Sequence, residues 1–165
     1  MASVSSRQRC AKGHLRNYKS RYGMNILVID AQGGGIGKQV IAAIKKNFPG
    51  QPVTAVGTNS AATSTMLKAG ADEAATGENA AAVCCRKADI IIGPIGIVIA
   101  DSLLGEITPA MAVAIGQSRA KRILIPVNHC DNYVVGVSDL SMARLIDGVV
   151  VEIRKIIPAS NESGR

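Results

Sequence analysis

Tryptophan is absent from this chain, phenylalanine occurs once and tyrosine three times in 165 residues. A core must therefore be assembled from Ile, Val, Leu, Ala and Met. Almost nothing is left from which to build the aromatic platforms that hold single-stranded nucleic acid. Cysteine is scarce as well: Cys10, Cys84, Cys85 and Cys130 include no C-x-x-C pair, and only 2 histidines accompany them. That spacing supports neither a zinc site nor a disulfide framework, so no metal centre is expected and a reduced, cytoplasmic setting is. No apolar run approaches the ~20 residues of a membrane-spanning helix. The longest, residues 90–100, is interrupted by Gly and Pro, and no apolar segment of secretory type follows the basic N-terminus.

Acidic residues are missing from positions 1–23, where Arg7, Arg9, Lys12, Arg16, Lys19 and Arg21 stand. These cations supply most of the net charge of +7, and the rest of the chain, with 13 basic and 12 acidic residues, is nearly neutral. The basic balance belongs to an extension, so nucleic-acid binding by the folded part is not expected. Four readings of the extension stay open: a start placed ahead of the natural one at Met24, a disordered tail, a nucleic-acid arm, or an organelle-type transit segment. The length suits one domain, and 47% hydrophobic residues suffice for a substantial core. The expected division is an extension over 1–23, one domain over 24–157 and a frayed tail over 158–165.

Strand-type runs recur at 25–30, 52–57, 89–93, 122–127 and 133–137, with 73–76 as a sixth candidate. Helical spacing fills 36–48, 60–69, 79–87, 108–118 and 139–157 between them. Continuous apolar strands such as ILVI and DIIIG point to burial on both faces, as in a parallel sheet covered by helices. The alternation predicts an α/β fold: a three-layer Rossmann-like domain with a mainly parallel sheet of five or six strands. Helix starts are signalled by Ser60, by Thr108-Pro109 and by Ser138.

After the first strand comes DAQGGGIGKQ, residues 30–39. A Walker A loop fits at Gly37-Lys38 only, because Gln32 replaces its first glycine and Gln39 its hydroxyl residue. Asp89 begins its strand instead of ending it, so ATP hydrolysis is not expected. The G-x-G-x-x-G fingerprint is met by Gly34 and Gly37, with Gln32 in the first place. Residues 30–37 resemble the T-G-x-x-x-G-I-G loop of short-chain dehydrogenases, with Ala31 for its first glycine. That family's Tyr-x-x-x-Lys is missing, since Val137 follows Tyr133 at the lysine position, and its chemistry does not carry over. The physical reading stands alone: Gly33, Gly34, Gly35 and Gly37 let the backbone approach a phosphate, the helix start favours an anion, and Lys38 adds charge. A strand–helix crossing that needs small residues and positive φ is the plainer reading of the same glycines.

The stretch VTAVGTNSAATSTMLKAGADEAAT resembles the second half of a medium-chain dehydrogenase cofactor unit. Gly57 stands where that family carries the acid that holds the NAD ribose, which leaves room for a 2′-phosphate. Ala62 stands near the place of the arginine that would neutralise it. Thr58, Asn59 and Ser60 can hydrogen-bond a phosphate or simply cap the following helix. Further loops at the same sheet edge hold Gly93 and Gly96, and then Asn128, His129 and Cys130. Cys130 is the candidate nucleophile and Asn128 a candidate orienting group; His129 points away from its neighbour on an extended chain.

Together IDAQGGGIGK, GTNSAATSTMLKAGADEAATGENA, GPIGIVIADSLLGEITPAMA and ILIPVNHC are similar to a family of short bacterial proteins known as domain of unknown function 3842. The resemblance spans about residues 24–157 and implies a Rossmann-like fold with a GQGGGIG-type loop; it implies no reaction. The expected function is binding of a nucleotide or dinucleotide, NAD(P)-like, through loop residues 33–38. Gln32, Thr58, Asn59, Ser60, Gly93, Gly96 and Asn128 would line the rest of the ligand. The expected partner is a small phosphorylated ligand, with no membrane and with a homodimer as an open expectation. The alternative is a regulatory or interaction module that keeps the fold without the ligand.

Overall fold

The computed structural model describes residues 23–127, 132–137 and 140–157. Its elements are β1 (Ile26–Asp30), α1 (Gly35–Asn47), β2 (Val53–Gly57), α2 (Ser60–Lys68), β3 (Glu73–Thr76), α3 (Glu78–Cys85), β4 (Ile90–Pro94), a 3-10 helix (Ile95–Val98), α4 (Pro109–Gln117), β5 (Lys121–Ile125) and α5 (Met142–Ile156). The five strands form one parallel sheet in the order β3-β2-β1-β4-β5. Chain order reverses between β1 and β4, which places the crevice of an open α/β sheet beyond the carboxyl ends of those strands.

Burial on both faces explains the unbroken apolar strands. Ile26, Val28, Ile90 and Ile92 face one core, shared with Val40, Ile41 and Ile44 of α1 and Val149, Val150 and Ile153 of α5. Leu27, Ile29 and Ile91, their neighbours along the strands, face the other, with Met111 and Ile115 of α4 and Cys85 of α3. Strand periodicity of two thus splits one run between two cores.

Two expectations are corrected. Residues 133–137 form no strand: Gly136 turns the chain at φ 85, and Tyr133 and Val135 stay 91% and 99% exposed. The run Tyr-Val-Val, aromatic and β-branched, has propensity but no neighbouring strand among the described residues, and propensity without packing does not make a strand. The cap of the last helix is Ser141, whose hydroxyl accepts from Arg144 N at 3.4 Å; Ser138 lies outside the described residues. In α2 the capping side chain is that of Asn59, accepting from Ala62 N at 2.9 Å, and Ser60 is the first helical residue. Thr108 and Pro109 begin α4 as expected.

Candidate functional site

The glycine loop joins β1 to α1 at the crevice edge, and its glycines separate into two kinds. A Cβ on Gly34 would lie 2.8 Å from Ala62 Cα and from Ala62 O, and Gly34 also adopts φ 69. On Gly37 it would lie 2.5 Å from Met66 Sδ. Gly57 and Gly93 are closed in the same way by Thr63 and by the Ile29 carbonyl. These four let helices and strands approach closely. Gly33 and Gly35 differ: both are exposed, neither needs positive φ, and a Cβ on either would meet nothing within 4 Å. Their amides have no hydrogen-bond partner among the described residues. Lys38 is exposed one turn into α1.

Asp30 braces the loop from below. Its buried carboxylate accepts from Ala31 N at 2.8 Å and from Gly37 N at 2.7 Å, so it holds the α1 start in place of a cap residue. Burial pushes its carboxyl above the ordinary carboxylate range, against the opposing pull of the backbone amides of Gly37, Ala31 and Ile36. Gln32, at the place of the fingerprint's first glycine, has φ 53. The conformation that favours glycine is therefore kept here by a residue with a side chain.

Above the loop lies Glu106, which sequence reasoning gave no role. Its Oε2 accepts from Gln32 N at 2.9 Å, from Asn59 Nδ2 at 2.8 Å and from the Thr58 hydroxyl. Burial opposes its charge, but these hydrogen bonds from Thr58, Gln32 and Asn59 prevail and hold the carboxyl below the usual glutamate value. The chain reaches this point through a strap between the 3-10 helix and α4, in which Asp101, Leu103 and Leu104 have φ of 61, 55 and 59. Ser102 Oγ donates to Gly96 O at 2.5 Å, Asp101 N donates to Ile107 O at 2.8 Å, and Ile107 is fully buried. Glu106 is thus carried on a fastened strap. No local pattern could have shown this, because its partners stand 74 and 48 residues away in sequence.

The structure therefore gathers Gln32, Gly33, Gly35, Lys38, Thr58 and Asn59 at one edge, with Gly34 and Gly37 packed beneath them. Gly93 and Gly96 are buried, Gly96 under the strap, and present no surface beside the loop. Ser60 is exposed at the start of α2. Asn128 and Cys130 lie outside the described residues. Burial raises the thiols of Cys84 and Cys85, the latter to about 11, away from the thiolate form that a nucleophile uses. Two other cavities lie away from the loop. One, of about 350 Å³, opens at the amino ends of β1 and β2 beside Cys84 and Lys87; one of about 560 Å³ opens between α3 and α4. Among the described residues no helix is long and apolar enough to cross a membrane.

Comparison with known proteins adds three findings. No curated protein matches the chain. Among solved structures it is similar to the crystal structure of a dodecameric FMN-dependent Ubix-like decarboxylase from Escherichia coli O157:H7, with 17% identity, a TM-score of 0.41, and coverage of 86% of this chain and 84% of that one. The family model described as Domain of unknown function (DUF3842) matches residues 25–158, from the residue before β1 to beyond the end of α5, and the chain belongs to that family.

Proposed function

We propose that the chain binds a nucleotide or dinucleotide of NAD(P) type, with a phosphate over Gly33, Gly35 and Lys38. One observation carries this reading: two exposed glycines stand where neither packing nor backbone conformation asks for glycine, and their amides are unpaired among the described residues. A side chain there would obstruct only something arriving from outside. The start of α1 supports the same reading: Asp30 takes the Gly37 amide, but the N-cap Gly34 has no side chain to offer and the first turn holds no acid, so the Gly35 amide is left open to an anion among the described residues. The test is a thermal-shift and calorimetric screen with NAD, NADP, FAD, ATP, GTP and coenzyme A. Ligand at ~100 Kd should add ~2.7 kcal/mol of stability. Silence from all six would remove the proposal.

A second reading is favoured by Glu106, whose carboxylate already occupies three donors at the loop. On that view the site is closed, and the fold serves a regulatory or interaction role. Gly35→Asp separates the two. An acid in the first turn of α1 suits the helix dipole and meets no atom, so the variant should keep its stability. It should lose every nucleotide response if the first reading holds. A homodimer belongs to the same proposal on the exposure of Tyr133 and Val135, at 91% and 99%. Sedimentation at the monomer mass would remove that part.

A further inference from the structure

A nucleotide lying over Gly33 and Gly35 meets Glu106 next, and that carboxylate supports a narrower conclusion, resting on the nucleotide reading above. In dinucleotide-binding folds an acid about 20 residues beyond the glycine loop accepts from the ribose hydroxyls, and a nearby arginine accommodates a 2′-phosphate where one is bound. Here β2 ends in Gly57, and residues 57–62, GTNSAA, contain neither an acid nor a base. Yet a carboxylate stands at the end of β2 all the same. Thr58 and Asn59, the two residues that follow the strand, donate to Glu106 Oε2, and Gln32 N joins them from the loop. Three donors on one oxygen fix the group in place. The other oxygen, Oε1, accepts no hydrogen bond among the described residues.

We infer that Glu106, carried across the crevice on the strap before α4, replaces the missing carboxylate of β2 and reads the 2′,3′-diol of the ligand's ribose through Oε1, excluding a 2′-phosphate. The anchored oxygen explains how an acid from the other half of the sheet holds position, and the unpaired one supplies the acceptor. Like charge excludes the phosphate, and among the described residues no lysine or arginine hydrogen-bonds to Glu106 or its three donors to offset it.

The test is calorimetry on the full chain with NAD, NADP, AMP and 2′-deoxy-AMP. NAD should bind at least about ten-fold more tightly than NADP, and AMP more tightly than its deoxy form, as a hydrogen bond to a charged group implies. Glu106→Ala should bring both ratios towards one, and Glu106→Gln should admit NADP while keeping the shape of the side chain. NADP binding as tightly as NAD to the native chain overturns the inference and leaves the nucleotide reading standing. So do ratios unchanged in a folded Glu106→Ala protein. Absence of binding by all four ligands overturns the inference, and silence from FAD, ATP, GTP and coenzyme A as well overturns the nucleotide reading with it. The native-chain comparisons decide even where a variant fails to fold.

Discussion

Single glycines of one loop perform different tasks, and substitution separates them. Gly34 has both positive φ and a backbone wall, the Cα and carbonyl of Ala62, against its missing Cβ. A helix backbone does not yield as a flexible side chain does. Gly34→Ala should therefore lower stability by about 1–3 kcal/mol, from left-handed strain and overpacking together. Gly33→Ala, with open space above it, should stay within about 0.5 kcal/mol of the native chain. Urea unfolding of the two variants gives the comparison. Equal losses would mean that the open face at Gly33 is not open in solution.

At the scale of elements, the strap and the loop form a pair of opposed acid switches. Glu106 has a folded pKa below its ordinary 4.5, so its contribution is fully present above that value and is lost as pH falls through the folded one. Asp30 is the reverse: raised by burial, it contributes fully below its ordinary 3.8, and that contribution is lost as pH rises through its folded value. The two carboxylates also repel each other, one of the causes that raise Asp30. The stability that the native chain draws from the Glu106 carboxylate, measured against Glu106→Gln, should accordingly shrink as pH falls below 4.5. Chemical unfolding at a series of pH values measures it; a difference that grows in acid would break the account of the strap. Asn59 couples the same strap to α2, since it accepts from Ala62 N and donates to Glu106 and to Gln32 O. Asn59→Ala should lower stability by ~1 kcal/mol for the lost cap alone. It should also speed amide exchange at Gln32, a readout that a cap without the strap contact would not move.

For the whole molecule, the sheet keeps two cores apart. Ile44 of α1 lies in one and Ile115 of α4 in the other, and both are fully buried. Ile44→Val and Ile115→Val should each cost about 0.5–1.5 kcal/mol. The double variant should equal their sum to within about 0.5 kcal/mol, because the two share no packing partner. Denaturant titration of the four proteins is enough. A large coupling term would show that the sheet transmits strain between its faces.

The order of strands and helices, the parallel sheet and the loop at its edge were legible from residues alone. ILVI and IIIG are apolar at every position, which only two covered faces explain, and Thr108-Pro109 marks a helix start by local chemistry. Local signals end there. Run 133–137 reads as a strand by composition, yet pairing depends on a neighbour that composition does not supply. All the loop glycines look alike in sequence; the positions of Ala62, Met66 and Asp30 decide which are needed for packing and which are left open. Gly57 reads as an acid lost from the end of β2, whereas the fold returns one from Glu106, 48 residues beyond Thr58. A hydrogen bond acts over about 3 Å in space and is indifferent to separation along the chain, so tertiary structure alone could bring that carboxylate to the loop.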